Sequence, residues 1–149
     1  MKNNHYTNNL LNQTMKISLT ILFIACSAAF RLTASTPTYQ LSSHILDIDK
    51  GSPAANVLIS LSQQTDNQWI LIDEKTTDAN GRIKDFLPEN GRDHKGIYKL
   101  TYHTAPYFAA QGKESFYPFI EVVFEIKDDQ HYHVPITLSA YGYSTYRGN

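Results

Sequence analysis

The sequence predicts an all-β fold, a two-sheet sandwich of about eight strands with one short helix. Three observations carry this. From Gln40 onward, short runs rich in β-branched and aromatic residues alternate with turn signals. Only one stretch of that region carries the marks of a helix. The chain has 149 residues, 42% of them hydrophobic and 18% charged, which suits one domain with a modest core rather than a disordered chain.

In chain order, residues 41–48 (LSSHILDI) form the first expected strand. After the turn DKGSP, residues 56–61 (NVLISL) alternate as the second, and residues 68–73 as the third. Asp78-Ala79-Asn80-Gly81 is a turn in which Gly81 can take positive φ, and a short strand over 82–84 follows it. Residues 96–103 (GIYKLTYH) alternate as the next strand. Residues 105–113 (APYFAAQGK) form the helix, with Thr104 as N-cap, Pro106 in the first turn and Gly112 at the end. Residues 117–126 (YPFIEVVFEI) make the longest strand, and 132–138 with 141–146 make a closing hairpin. No internal repeat, low-complexity tract or linker divides this region.

The first 34 residues differ in kind. They hold Lys2, Lys16 and Arg31 but none of the chain's 14 acids. Residues 17–30 (ISLTILFIACSAAF) are apolar, too short for a bilayer span of about 20 residues, and fit the apolar segment of a signal peptide. Residues 1–34 are therefore expected to be a signal peptide cleaved after Ala34, with Met15 as an alternative start. Residues 35–149 are the mature domain, exported to the periplasm. Cys26, the only cysteine, lies in the leader in a weak lipoprotein-type context. The mature chain thus has no disulfide, no cysteine nucleophile and no thiolate metal site. With 13 basic and 14 acidic residues the chain carries no basic footprint for nucleic acid, and no membrane partner is expected once the leader is gone.

The sequence has no phosphate-binding loop, no GxSxG and no HExxH. Three places can carry chemistry. His44, in LSSHILD, shares a strand face with Ser42 while Leu41 and Ile45 face the other way. Arg82 follows Asn-Gly and has the forked donors that hold a planar anion. His131 and His133 lie two apart in HYHVP, on one strand face. That pair can ligate a metal if His44 supplies a third ligand, or can simply be surface. The chain closes on Tyr141, Tyr143, Tyr146, Arg147, Gly148 and Asn149, an ending rich in aromatic and cationic groups and suited to packing or oligomerisation.

These pieces together resemble the 5-hydroxyisourate hydrolases, the transthyretin-related enzymes of purine breakdown. The resemblance rests on LSSHILD, GSPAANV, NGRI, HYHVP and YGYSTYRG, and covers about residues 40–149. The family ends in Tyr-Arg-Gly-Ser, and Asn149 stands here in place of the Ser. The resemblance implies a transthyretin-like sandwich and a homotetramer whose last two strands line a channel between dimers. It implies a catalytic set of His44, Arg82, His133 and Tyr146, with Arg147 and Gly148 also binding substrate, and neither metal nor cofactor. His131 lies outside that set and reads as surface. In the hormone carrier transthyretin the positions matching His44, Arg82 and His133 are Lys, Glu and Thr, and the Tyr-Arg-Gly ending is missing.

The implied reaction opens the six-membered ring of 5-hydroxyisourate, giving 2-oxo-4-hydroxy-4-carboxy-5-ureidoimidazoline. Without a thiol or a recognisable serine nucleophile, water is the attacking group. A neutral histidine, with an ordinary pKa near ~6.5, suits its deprotonation. Non-catalytic binding of a small aromatic ligand in a tyrosine-lined channel is the alternative.

Overall fold

The computed structural model describes residues 38–148. The expected leader, its cleavage site, Cys26 and Asn149 lie outside the described residues. The elements in order are β1 (Tyr39–Asp47), β2 (Ser52–Pro53), β3 (Leu58–Thr65), β4 (Gln68–Thr76), β5 (Arg82–Pro88), β6 (Gly96–Tyr102), α1 (Thr104–Ala109), β7 (Ile120–Ile126), β8 (Tyr132–Ser139) and β9 (Gly142–Thr145). They form two sheets. One runs β2-β1-β8-β9, with β5 also pairing with β1, and the other runs β4-β3-β6-β7. The predicted two-sheet sandwich is the fold observed, with the two-residue β2 inside the expected turn as an extra strand.

The inner faces make the core. Leu41 and Ile45 of β1, Phe86 of β5 and Ile136 and Leu138 of β8 are buried against Ile59, Leu61, Leu100 and Ile126 of the second sheet. Truncating such a side chain to Ala typically costs about 2–5 kcal/mol, so the reverse face of β1 is held firmly. Two buried hydroxyls between the sheets share one acceptor: the Ser43 hydroxyl donates to the Val134 carbonyl at 2.8 Å, and the Tyr102 hydroxyl donates to the same carbonyl at 3.1 Å.

Two expectations are corrected in detail. The helix spans Thr104–Ala109 and is preceded by His103 with no side-chain cap. Thr104 is the first helical residue, and its hydroxyl donates to the Tyr117 carbonyl at 3.2 Å instead of capping. Gly112 does take the left-handed conformation expected of it after the helix, at φ +67°. The strand expected over 117–126 begins only at Ile120. Pro118 has no amide hydrogen for a ladder, and its carbonyl accepts from the Ala105 amide at 3.3 Å.

The site depends on how β1 is flanked. On one side β1 pairs antiparallel with β5, with Ser43 opposite Ile83 and His44 opposite Arg82. On the other it pairs parallel with β8, with Ser42 opposite His133 and Ser43 opposite Val134. Alternation sends Leu41, Ser43 and Ile45 inward and leaves Ser42, His44 and Leu46 partly exposed on the outer face.

Candidate active site

The outer face of the β5-β1-β8 sheet gathers residues far apart in sequence. His44 and Arg82 are direct cross-strand partners. One strand further, His133 lies opposite Ser42. Strand register thus brings His44, Arg82 and His133, three members of the expected catalytic set, onto one sheet face.

Arg82 is placed by the turn before it. The Asp78 carboxylate accepts from the Asn80 and Arg82 amides at 2.8 and 2.9 Å. Gly81 takes φ +67°, and its carbonyl accepts from the Ile45 amide at 2.9 Å. A Cβ at Gly81 would lie 2.7 Å from the Ile45 carbonyl oxygen, so only glycine lets the turn press against β1 beside His44. The Arg82 amide also holds the Asp78 carboxyl below the usual carboxylate range. Arg82 is exposed, and it makes no ion pair among the described residues.

Both imidazoles favour the neutral form. Partial burial and the Arg82 guanidinium beside it hold His44 below the ordinary histidine pKa, partly opposed by the Asn80 backbone and the Asp78 carboxylate. Partial burial, Arg82, His44 and His131 do the same for His133. Two imidazoles that stay uncharged near neutral pH can accept protons, and a guanidinium without a carboxylate partner can bind an anion.

His133 is held by its neighbours on β1 and by the chain end. Its Nδ1 lies 2.9 Å from the Ser42 hydroxyl, which is 2.7 Å from the Nε2 of His131. The Nδ1 of His131 donates to the Tyr39 carbonyl at 2.9 Å. His131 is exposed, as a surface residue should be, yet both its ring nitrogens are engaged. The hydroxyl of Ser42 is the polar group whose part the sequence did not reveal; only its parity with His44 pointed to it. Rather than surrounding a common point, the two histidines of HYHVP converge on this hydroxyl, and no metal-holding group of three His, Cys, Asp or Glu occurs among the described residues.

The end of the chain folds back on β8. Ile136 pairs with Thr145, and the same antiparallel register is met again where His133 bridges Gly148. The Gly148 amide donates to the His133 carbonyl at 2.8 Å. In this register position 147 falls opposite the core-facing Val134, and the Arg147 guanidinium lies 4.8 Å from the centroid of the Tyr132 ring, a cation–π contact. Tyr146 is 62% exposed and, with Arg147, lines a groove of about 430 Å³ bounded by Val122, Phe124, Tyr132 and Val134. Of the expected set, the single chain thus brings together His44, Arg82, His133 and Gly148, and sets Tyr146 and Arg147 at the neighbouring edge.

Comparison with known proteins agrees with this architecture. The model of a family described as HIUase/Transthyretin matches residues 41–148. A probable 5-hydroxyisourate hydrolase of Caenorhabditis elegans is 46% identical over 131 residues, covering 86% of this chain and 96% of that protein. The 5-hydroxyisourate hydrolase of mouse is 38% identical, over 77% of this chain and 99% of that protein. Among solved structures, 5-hydroxyisourate hydrolase of Klebsiella pneumoniae superposes with a TM-score of 0.64 at 36% identity, covering 77% of this chain and all of that one. Sea bream transthyretin in complex with thyroxine superposes with a TM-score of 0.69 at 34% identity, covering 73% and 94%. The fold is thus shared by proteins described as an enzyme and as a hormone complex, and the side chains on the sheet face must separate the two.

Proposed function

The chain belongs to the HIUase/transthyretin family, and on that premise we propose that it is a hydrolase that opens the ring of 5-hydroxyisourate, a cyclic amide, to 2-oxo-4-hydroxy-4-carboxy-5-ureidoimidazoline in urate breakdown. The observation that carries this reading is the triangle of His44, Arg82 and His133 on one sheet face. A carrier of hydrophobic hormone has no need of two neutral imidazoles beside a guanidinium that makes no ion pair among the described residues. The resemblance assigns Lys, Glu and Thr to these positions in transthyretin.

Water is the nucleophile. One imidazole, with His133 and His44 sharing the positioning, takes its proton as the oxygen adds to the ring carbonyl; such general-base help typically supplies about 10²–10⁴-fold. The carbonyl oxygen becomes an oxyanion that faces Arg82, which also clamps the planar, partly anionic ring through its forked donors. The tetrahedral centre then collapses, the ring C–N bond breaks, and the imidazolium returns its proton to the departing nitrogen. Tyr146, Arg147 and Gly148 orient the ring from the chain end. The chemistry needs no metal or other cofactor.

The outer sheet face is open in one chain, and a hydrolytic site works best where bulk water is excluded. We propose that a homotetramer closes it. The strongly exposed rings of Tyr141 and Tyr146, 72% and 62% accessible, support this, since burying large aromatic surface is a common driving force for association. We also propose export to the periplasm by the leader of residues 1–34, which cell fractionation with an intact and a leader-deleted gene would check. The test of the function is the absorbance decay of freshly made 5-hydroxyisourate. Acceleration by the purified protein supports the enzyme, and binding without acceleration supports a small-ligand carrier.

A further inference from the structure

With His131 neutral, the hydrogen bonds behind His133 have only one consistent direction. The Tyr39 carbonyl 2.9 Å from His131 Nδ1 can only accept, so that nitrogen carries the hydrogen. In the neutral ring His131 Nε2 is then a bare acceptor. It lies 2.7 Å from the Ser42 oxygen, so the single hydroxyl hydrogen of Ser42 points to it. The Ser42 oxygen is left to accept, and its other partner, 2.9 Å away, is His133 Nδ1. That nitrogen must therefore be protonated, which leaves the lone pair on His133 Nε2.

We propose that Tyr39, His131 and Ser42 form a tautomer-setting relay that keeps His133 protonated at Nδ1 and basic at Nε2. His131 and Ser42 are positioning residues, acting through His133 and not on the substrate. The role given to the freed Nε2 rests on the hydrolytic reading above; the direction of the relay does not. Were the Ser42 hydroxyl to turn round, it would donate to His133 Nδ1 and put the ring hydrogen on Nε2, where a base needs its lone pair. The turned hydroxyl would also set an oxygen lone pair against the bare Nε2 of His131. A partner on one ring nitrogen deciding the state of the other is the usual way histidine tautomers are set.

The register explains why the relay can form. Parallel pairing of β1 and β8 puts Ser42 level with His133, and His131 stands just before β8 begins. The sequence spacing of His131 and His133, which on its own suits a metal pair or a plain surface, here serves two imidazoles sharing one hydroxyl.

The test is nitrogen NMR of protein labelled with ¹⁵N-histidine, at about pH 8, where ordinary imidazoles are neutral. The His133 signals are assigned by their loss in His133→Asn. In the unaltered protein the hydrogen should be found on His133 Nδ1. In Ser42→Ala and His131→Phe the spectrum should shift toward a mixture of tautomers, and Ser42→Thr, which keeps a hydroxyl, should restore the original state. Each of the two disabling variants should lower kcat about tenfold at unchanged KM, less than loss of the base itself. The double variant should be no worse than the poorer single one, since both break one chain. A hydrogen on Nε2 of His133 in the unaltered protein overturns the proposal, as do losses that multiply in the double variant. If the unaltered protein did not open 5-hydroxyisourate, the hydrolase reading would fall, while the nitrogen spectra would still decide the relay.

Discussion

Gly148 lies directly against His133. Its amide donates to the His133 carbonyl at 2.8 Å, and a Cβ built on it would collide with the imidazole at Cδ2 and come within 3.1 Å of Cγ. The penultimate residue of the chain thus has to be the smallest one if the ring is to keep its place. Gly148→Ala should therefore displace the imidazole and lower kcat/KM for 5-hydroxyisourate about 10²-fold, the scale of a misplacement near 1 Å. Melting should barely change, because Gly148 lies outside the core. Full activity in this variant would show that the chain end does not position the ring.

Arg82 should matter by its charge and shape, not by packing. It is exposed, and the turn that presents it is built from backbone and Asp78. Arg82→Glu should leave the fold intact by circular dichroism and reduce kcat by about 10²–10³-fold, the usual cost of losing a preorganised oxyanion donor. Arg82→Lys should recover only part of the loss, since a point charge cannot reproduce the fork. His44→Lys, another change toward the carrier's residues, should likewise reduce turnover steeply in the folded protein.

The lowered pKa of His44 and His133 has consequences for both activity and stability. The bases stay neutral to more acidic pH than free imidazole, so the acid limb of kcat/KM should fall below ~6.5. In the unfolded chain both histidines regain the ordinary value and bind protons first as pH drops. Stability from these groups is complete above ~6.5 and is lost as pH falls through the lowered folded values. Melting temperature measured across this window should decline with acidification, and less so in His133→Asn. An acid limb above the ordinary histidine range would contradict the burial and Arg82 effects.

Activity should follow assembly. If the open sheet face is closed by neighbouring subunits, dilution should lower specific activity in parallel with the tetramer fraction from sedimentation. Tyr141→Asp, at a strongly exposed position, should weaken both. A fully active monomer would separate catalysis from assembly.

Much of this site is readable in the sequence because strand alternation is a local rule. LSSHILD puts His44 and Ser42 on the face opposite Leu41 and Ile45, and the structure keeps that parity. Asn-Gly before Arg82 marks the turn, and Gly81 takes its positive φ there. What the sequence does not hold is register. Whether Ser42 stands level with His133 depends on the parallel pairing of strands about 90 residues apart, so the hydroxyl shared between His131 and His133 is invisible until the sheet forms. The helix start departs from its sequence signal for a related reason. Thr104 has the side chain of a cap, but the Tyr117 carbonyl, brought in by the tertiary fold, takes its hydroxyl. Likewise Tyr117 and Pro118 look like strand residues, yet their carbonyls are used by the start of α1.

The central claim is that water is activated by imidazoles beside Arg82. It is tested most directly by following freshly made 5-hydroxyisourate with the assembled protein and with its His133→Asn variant in the same quaternary state. The account predicts rapid loss of the compound with the first and a loss of at least about 10²-fold in rate with the second. Decay at the spontaneous pace with the unaltered assembly, or equal rates for the two proteins, would contradict it.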